Sequence, residues 1–341
     1  MAKKLFDFAI GNPPYQESQE ATSDKPVYNY LLDAAYEVSE KAEFITPARF
    51  LFNAGKTPKA WNEKMLNDPH LKVLNYEKDA TRIFPNTDIK GGVAITYRDS
   101  NSEFGKIGVF TKYDELNHIV SKVRNKKDFK PLTDIIFQQN KFNLPALYKD
   151  YPEYKSIIGS NGTEKRLTTP IFAQLGVFKE KKISINDLSI FGLIKNVRYT
   201  KYIDKKYIEK VPFIEKYKVV TPASGGNGSF GETLSNPVVM NPGDGFTQSF
   251  IGIGIFDEEE PAQNLYKYIK TKFSRALLGV LKVTQHAHKE VWKMIPLQDF
   301  TAASDIDWSK SVHEVDLQLY RKYGLSSEEI DFIETNVKEM I

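Results

Sequence analysis

The chain has 341 residues, 41% of them hydrophobic, which is enough to supply a core in each of two domains. It has no cysteine, which excludes disulfides and thiolate metal sites, and its five histidines are too scattered for a recognisable metal-ligand spacing. No apolar run approaches the length of a membrane span and no signal-peptide core follows Met1. We therefore expect a cytoplasmic protein with no metal and no membrane partner.

The net charge of +3 is unevenly distributed along the chain. Residues 299–341 hold ten Asp or Glu against four Lys or Arg, whereas residues 195–218 hold eight Lys or Arg against three Asp or Glu. A basic stretch of this kind suits contact with phosphates, although a solvated charged face is the commoner cause of such a pattern.

A short apolar segment, residues 6–10, is stopped abruptly by Gly11-Asn12-Pro13-Pro14-Tyr15. This pattern predicts a buried strand whose carboxyl end presents the residues that follow it. The prolines fix their φ angles and lack an N–H group, so the carbonyls around Asn12 and Pro13 are held ready to accept hydrogen bonds. With the Asn12 amide and the flat ring of Tyr15, the segment suits a planar amine.

Phe6-Asp7 and the residues from Gly11 to Tyr15 resemble the catalytic motif of amino-group methyltransferases. They are most similar to the adenine-N6 DNA methylases of restriction-modification systems, of the type II or IIG kind with an Asn-Pro-Pro-Tyr motif. The resemblance implies that an adenine is flipped out of duplex DNA, because its amino group cannot be reached inside the stack. It also implies that Asn12 and Pro13 accept from the N6 amine and that Tyr15 stacks on the base, with Pro14 completing the catalytic set.

The same resemblance assigns a role to a later turn, Arg82-Ile83-Phe84-Pro85-Asn86. The related methylases present an aromatic residue to the flipped adenine from a comparable aromatic-proline turn, so Phe84 is predicted to be part of the site. Without the resemblance, a Phe before a Pro is most often a core residue.

Strands and helices alternate after the motif, which predicts an α/β fold with a mostly parallel, Rossmann-like sheet over residues 1–112. The predicted elements are a helix at 28–42, strands at 43–47, 71–76 and 92–97, a helix at 58–66, a last strand within 100–112 and a bridging helix at 113–126.

The related methylases use S-adenosylmethionine and grip it with a Gly-rich turn that, in the order fitting this chain, precedes the Asn-Pro-Pro-Tyr motif. Only eleven residues precede Asn12. Two later Gly-rich segments, 226–231 and 250–254, lack the helix or the turn that a cofactor loop needs. We therefore expect half a catalytic domain, its cofactor half either lost by truncation or supplied by another chain.

Residues 113–300 differ in composition and are similar to a target-recognition domain of mixed α+β structure. It is predicted to contain β-forming residues at 190–203, a strand ending in a glycine-rich loop after residue 221, and one long helix at 261–281 followed by a Lys/Thr/Gln turn. A plain hairpin loop is the simpler interpretation of the glycine-rich stretch. The predicted DNA contacts are Lys195, Arg198, Lys201, Ser224, Gly225, Gly226, Asn227, Lys282, Thr284, Gln285 and Lys289.

The last segment, residues 301–341, predicts a helical hairpin. A helix over 311–323 closes at Gly324, and a second helix begins at Ser326 with Glu329 completing a capping box. Because this αα-hairpin is acidic, we interpret it as structural, facing away from DNA or toward a partner protein.

These features favour sequence-specific recognition of double-stranded DNA and adenine-N6 methylation, by a chain expected to be inactive without its cofactor half. A non-catalytic DNA-specificity subunit is an alternative, and the intact motif with Phe84 weighs against it. Methylation of an RNA base or a protein glutamine is another, against which stands a recognition-like domain of more than 200 residues with its basic stretch.

Overall fold

A computed structural model describes residues 4–19, 22–85, 87, 89, 91–159 and 164–340. Asn86 of the predicted aromatic-proline turn lies outside these residues. The chain divides into two compact units, Met1–Asn125 and Lys126–Ile341. The helix predicted to bridge the domains thus belongs to the first unit.

The first unit is built around one four-stranded sheet. In chain order its elements are β1 (Phe6–Gly11), β2 (Gln16–Gln19), β3 (Thr22–Pro26), α1 (Tyr28–Val38), β4 (Ser39–Pro47), α2 (Lys59–Asn67), β5 (Leu71–Glu77), β6 (Val93–Asp99) and α3 (Asp114–Arg124). The sheet order is β1-β4-β6-β5, while β2 and β3 form a separate hairpin. The strands β1 and β4 pair in parallel, and β6 is antiparallel to both β4 and β5. Three strands run the same way, but the sheet is mixed because β6 returns between two of them.

An aromatic cluster holds α1 and α2 against this sheet. Tyr28 and Leu32 lie four residues apart on α1, and Trp61 and Met65 have the same spacing on α2, so each pair projects from one helix face. The ring of Trp61 meets those of Tyr28 and Phe50 edge to face, with centroids 5.9 and 5.3 Å apart. Burial of each such side chain stabilises the fold by about 1.5–3 kcal/mol.

Two predicted elements of this unit differ from the structure. The helix α1 ends at Val38 instead of residue 42, because Ser39 adopts extended angles (φ −119°, ψ 147°) and begins β4. Residues 100–112 were predicted to hold a last strand and contain none. The Asp99 carboxylate accepts from the N–H of Asn101 at 2.9 Å and the hydroxyl of Ser102 at 3.1 Å, which turns the chain as β6 ends.

The second unit combines helices with two small sheets. Its elements are β7 (Ile136–Phe137), α4 (Leu144–Asp150), α5 (Tyr154–Ile158), α6 (Thr169–Gln174), β8 (Asp187–Ile194), β9 (Val197–Asp204), β10 (Tyr217–Pro222), β11 (Val238–Met240), β12 (Asp244–Phe246), β13 (Phe250–Phe256), α7 (Glu259–Lys270), α8 (Lys272–Gly279), α9 (Val312–Tyr323) and α10 (Ser327–Asn336). One sheet has the antiparallel order β11-β10-β13-β7 and the other has the order β12-β8-β9.

The strands β8 and β9 form a long hairpin. They pair along their whole length, from Asp187 opposite Asp204 to Ile194 opposite Val197. The two turn residues, Lys195 and Asn196, have positive φ angles of 49° and 63°, as a type I′ turn requires. The tip of the hairpin is therefore held in one conformation.

The long helix predicted for 261–281 is broken at Thr271. This residue has extended angles (φ −56°, ψ 148°), ends α7 and caps α8, its hydroxyl accepting from the N–H of Ser274 at 3.1 Å. Thr is a preferred N-cap residue, so Thr271 within the predicted helix was the available sequence signal for this break.

The helix α9 begins and ends at the predicted signals, and α10 begins at the predicted Ser326. The predicted capping box of Ser326 and Glu329 is confirmed, and Ser311 with Glu314 forms another that the sequence reading did not assign. Gly324 ends α9 in the left-handed region at φ 62°.

Asp316 on α9 ties this segment to α8. Its buried carboxylate accepts from the backbone N–H groups of Lys272 and Phe273 at 3.0 and 2.8 Å. Burial and, to a smaller extent, the nearby carboxylate of Glu334 raise the pKa of Asp316 to about 6. The two hydrogen bonds and Arg275 oppose this shift because they favour the ionised form.

This raised pKa predicts a pH dependence of stability. The folded state binds the Asp316 proton more tightly than the unfolded state, so this group adds to the free energy of unfolding as pH falls from above 6 toward 4, by about 3 kcal/mol in all. Urea unfolding between pH 4.5 and 7.5 should show wild type gaining stability relative to Asp316→Asn on acidification. A difference that stays constant with pH contradicts the assignment, and the exposed Asp331→Asn serves as control.

Candidate functional site

The Asn-Pro-Pro-Tyr motif lies where β1 ends. Gly11, the last residue of β1, pairs with Phe44, and the parallel strand β4 continues only to Pro47. Because β1 and β4 are parallel neighbours, their carboxyl ends meet at one edge of the sheet, and the motif follows directly from that edge.

Two predicted base-facing aromatic residues come together there. The rings of Tyr15 and Phe84 are 6.5 Å apart between centroids and are inclined by 72°. Sixty-nine positions separate them in sequence, and Phe84 belongs to the connection between β5 and β6. The chain therefore places two aromatic rings beside the end of β1.

The side-chain oxygen of Asn12 and the backbone carbonyl of Pro13 are available to accept hydrogen bonds. Asn12 is exposed and Pro13 is half-buried, and none of the described residues hydrogen-bonds to the Asn12 side chain or the Pro13 carbonyl. These are the two groups that the resemblance assigns to an amine, and both remain open to a ligand.

A pocket of about 310 Å³ opens beside Tyr15. Tyr28, Pro47 and Arg49 contribute to its wall. The Tyr15 hydroxyl is buried and has no hydrogen-bond partner within the described part of the chain, and burial raises its pKa. A buried polar atom of this kind requires an explanation, and a ligand in the neighbouring pocket would provide one.

The strand β1 is not buried as predicted. Phe6, Phe8 and Ile10 are 59%, 44% and 74% exposed, and Leu5 just before the strand is 75% exposed. Phe6, Phe8 and Ile10 alternate along β1 and therefore project from one face, which the described residues leave exposed, and β1 is also an end strand that pairs only with β4 among them. Its apolar composition is typical of a strand covered on both faces.

In the second unit the structure joins two segments that were predicted separately to contact DNA. The N–H of Gly225 donates to the carbonyl of Gln285 at 2.8 Å, and the N–H of Ala287 donates to Ala223 at 2.8 Å. Residues 224–227 and 283–286 thus lie side by side, and we call them the two-loop surface. The exposed members that were predicted to contact DNA are Ser224, Gly226, Asn227, Thr284 and Gln285.

Lys195 is exposed at the tip of the β8–β9 hairpin. Val197 and Tyr199 beside it are also exposed, at 57% and 44%. Of the lysines and arginines predicted to contact DNA, Lys195 is the one that the described structure presents fully to solvent.

The other predicted cationic contacts point inward. Arg198 donates to the carbonyls of Ser235 and Asn236 at 2.9 and 2.7 Å, and its guanidinium lies over two phenylalanine rings. Lys201 is buried and pairs with Glu180 at 3.2 Å.

The lysines that follow α8 behave in the same way. Lys282 is buried in an ion pair with Glu232, and the half-buried Lys289 donates to the Ile136 carbonyl at 3.1 Å. Arg198, Lys201, Lys282 and Lys289 each have a partner inside the unit, and their contact with DNA stays a prediction.

Glu232 is the functional candidate that the sequence reading missed. Its carboxylate accepts from the N–H groups of Asn227 and Gly228 at 2.8 and 3.2 Å. The available signal was an acidic residue directly after the glycine-rich segment 226–231. These hydrogen bonds also occupy the amides that a cofactor phosphate or carboxylate would need.

Neither later Gly-rich segment has the geometry of a cofactor loop. Segment 226–231 is closed by Glu232, and residues 250–254 lie within β13, where no turn opens. No three His, Asp or Glu side chains converge as metal ligands in the part of the chain that the structure describes, and no helix there is long and apolar enough to cross a bilayer.

Comparison with known proteins finds similarity to restriction-modification methylases. Residues 1–84 match the model of the Eco57I restriction-modification methylase. Over 115 residues, the chain is 30% identical to a Mycoplasma pneumoniae (strain ATCC 29342 / M129 / Subtype 1) protein described as an uncharacterized adenine-specific methylase. This alignment covers 32% of the chain and 27% of that protein, so the chain spans about a quarter of its length.

Among solved structures, the chain is similar to the type IIG restriction endonuclease BpuSI. The identity is 9%, the TM-score is 0.34, and the match covers 93% of this chain and 48% of that chain. The family match at residues 1–84 includes both the motif at residues 12–15 and Phe84. The match of residues 1–84 to the Eco57I restriction-modification methylase model and the identity to an adenine-specific methylase agree with the resemblance to an adenine methylase of restriction-modification systems.

Proposed function

We propose that this chain forms part of an adenine-N6 DNA methyltransferase of a restriction-modification system that acts in the cytoplasm by flipping its target base. The observation that carries the proposal is the meeting of Tyr15 and Phe84 at the end of β1, beside the open acceptors of Asn12 and Pro13. Because the rings are inclined by 72°, a base can stack on one ring and contact the other at an angle, while two oxygens orient its amino group.

The chemistry proposed for the motif requires only hydrogen bonds. The Asn12 amide oxygen and the Pro13 carbonyl accept the two N–H protons of the adenine amine. This concentrates the nitrogen lone pair in the remaining direction, toward the carbon that is to be attacked. Proline at 13 and 14 supports the arrangement, because a fixed φ limits the movement of both acceptors.

The methyl donor, S-adenosylmethionine, is bound by a half of the enzyme that lies in another chain or in a further segment. The exposed apolar face of the end strand β1 supports this, because a further part of the enzyme would cover it. A strand with exposed Phe6, Phe8 and Ile10 is an aggregation hazard unless another element covers it.

The second unit supplies recognition of duplex DNA as a target-recognition domain. The two-loop surface offers amide and hydroxyl groups, which read base edges, and Lys195 offers a solvent-exposed charge for a phosphate. The exposed strand β1 also fits the alternative of a non-catalytic DNA-specificity subunit. Methylation by the Asn12→Ala variant separates this alternative from the enzyme.

Salt titration of binding to duplex DNA and to RNA of the same sequence tests this function. We expect the full chain to prefer duplex DNA, with an affinity that falls steeply as salt increases. Lys195→Gln should reduce the slope of log K against log salt by about 0.9, the value for one lost phosphate contact. Lys201→Gln is the matched control and should leave the slope unchanged, because Lys201 is buried against Glu180. Equal binding of RNA, or equal slopes for wild type and Lys195→Gln, would count against the proposal.

A further inference from the structure

The carboxylate of Glu232 faces the interior of the loop that precedes it. It accepts from the N–H groups of Asn227 and Gly228 and forms an ion pair with the ammonium of Lys282. The residue is held by its backbone as well, since its carbonyl accepts from Arg275 at 3.4 Å. Three donors from two separate segments therefore converge on one carboxylate.

Lys282 extends these contacts to the second loop. Its ammonium donates to the carbonyl of Gly225 at 3.0 Å and to that of Thr284 at 3.2 Å, one on each side of the two-loop surface. Gly228, at φ +84°, packs so closely on the backbone of Thr284 that a Cβ at this position would overlap it. The relative position of the two loops thus depends on the pair of Glu232 and Lys282.

The pair is well shielded from solvent. The side chains of Lys282 and Glu232 are 6% and 17% exposed. Burial alone raises the pKa of Glu232, but Lys282 and the two amides outweigh it and hold the pKa below its usual value. Removal of either partner leaves an uncompensated buried charge, so the loops must rearrange.

The cavity around the pair is too small for a ligand. It is lined by Gly225, Glu232, Arg275 and Lys282 among others, and its volume is about 20 Å³, room for one water molecule. The charges of Glu232 and Lys282 are therefore used to hold protein and do not form a binding site of their own.

We propose that Glu232, through Lys282, is a positioning residue that sets the geometry of the two-loop surface and so determines how well the protein discriminates between DNA sequences. Glu232 itself does not touch DNA. This inference rests on the proposed function of the second unit, and it assigns sequence discrimination to a residue behind the contact surface.

The first experiment measures the loop without DNA. Hydrogen exchange of peptides covering residues 224–234 is compared in the full-length wild type and in Glu232→Gln, which keeps the size and removes the charge. We expect exchange at Asn227 and Gly228 to rise at least tenfold. Glu209→Gln, which breaks the exposed ion pair with Lys165 in the same unit, is the control and should leave these amides unchanged. Unchanged exchange in Glu232→Gln overturns the inference.

The second experiment measures discrimination. Selection from a random duplex library gives the sequence that wild type prefers, and affinity is then compared for this duplex and a scrambled one across a salt series. Glu232→Gln should lower the affinity ratio about tenfold and leave the salt slope unchanged, because no phosphate contact is lost. A loosened loop with an unchanged ratio overturns the inference.

Two further arrangements keep the test decisive. If Glu232→Gln fails to fold, Glu232→Asp keeps the charge, withdraws it from the two amides, and should show the same loss of discrimination. Lys282→Met should match Glu232→Gln, and the double variant should lose no more discrimination than either single variant, since both act through one pair.

If wild type selects no sequence, the proposed DNA function fails, while the exchange experiment still decides whether Glu232 fixes the loop.

Discussion

Replacing Asn12 with Ala is expected to lower methylation by at least about 10²–10³-fold in the enzyme reconstituted with its cofactor-binding half, while duplex binding changes by less than about twofold. Loss of one preorganised electrostatic contact in an active site has an effect of this size. Asn12 is exposed and its side chain makes no hydrogen bond with the described residues, so the change should cost little stability.

Two companion variants sharpen this result. Asn12→Asp keeps an oxygen acceptor at the same position and should retain more activity than Asn12→Ala. Asn101→Ala removes another exposed asparagine of the same unit and should be indistinguishable from wild type. Single-turnover methyl transfer and duplex affinity are the measurements. Full activity of Asn12→Ala would refute the catalytic role and favour the non-catalytic specificity subunit.

Local sequence signals predicted the first unit well where they act within a few residues. The stop at Gly11 and the strands β5 and β6 lie within two residues of their predicted positions. The mixed sheet was not predicted, because strand order depends on which distant strands pair, and β6 returns between β4 and β5. The exposure of β1 has a related cause, since an apolar segment indicates a strand that needs cover and does not reveal what covers it.

In the second unit, the sequence did not reveal which lysines and arginines have partners inside the fold. The stretch containing Arg198 and Lys201 is basic in sequence, yet the Arg198 guanidinium donates to the Asn236 carbonyl and the Lys201 ammonium pairs with Glu180. Sequence gives the number and spacing of charges, and only the fold gives their partners. Lys195 differs because it lies in the two-residue turn between β8 and β9, at the exposed tip of the hairpin.

The same limit explains why the two-loop surface could be predicted only in parts. Each loop carries its own local signal, glycines in one and a Lys/Thr/Gln turn in the other. Their contact spans sixty residues, from Gly225 to Gln285, and the Lys282 ammonium that bonds to both loops pairs with Glu232, fifty residues away in sequence.

The second large effect is expected from replacing the aromatic residues Tyr15 and Phe84. Tyr15→Ala and Phe84→Ala should each weaken retention of the flipped adenine by about 1–3 kcal/mol, or about 5–150-fold, which is the contribution of one base–aromatic stack. Because the rings are 6.5 Å apart between centroids, the double variant should lose less than the sum of the two. Fluorescence of 2-aminopurine at the target position reports the flipped state.

The ring and the hydroxyl of Tyr15 can be separated in the same assay. Tyr15→Phe keeps the ring and removes a buried hydroxyl that has no partner among the described residues, so it should retain nearly all activity if stacking is the function of this residue. Phe104→Ala removes a ring from another aromatic pair of the unit, with Tyr97 at 5.9 Å, and should not change base flipping. If Tyr15→Phe is as impaired as Tyr15→Ala, the hydroxyl is the group that acts on the ligand. Tyr15 would then bind by hydrogen bonding at the neighbouring pocket and not by stacking against the base.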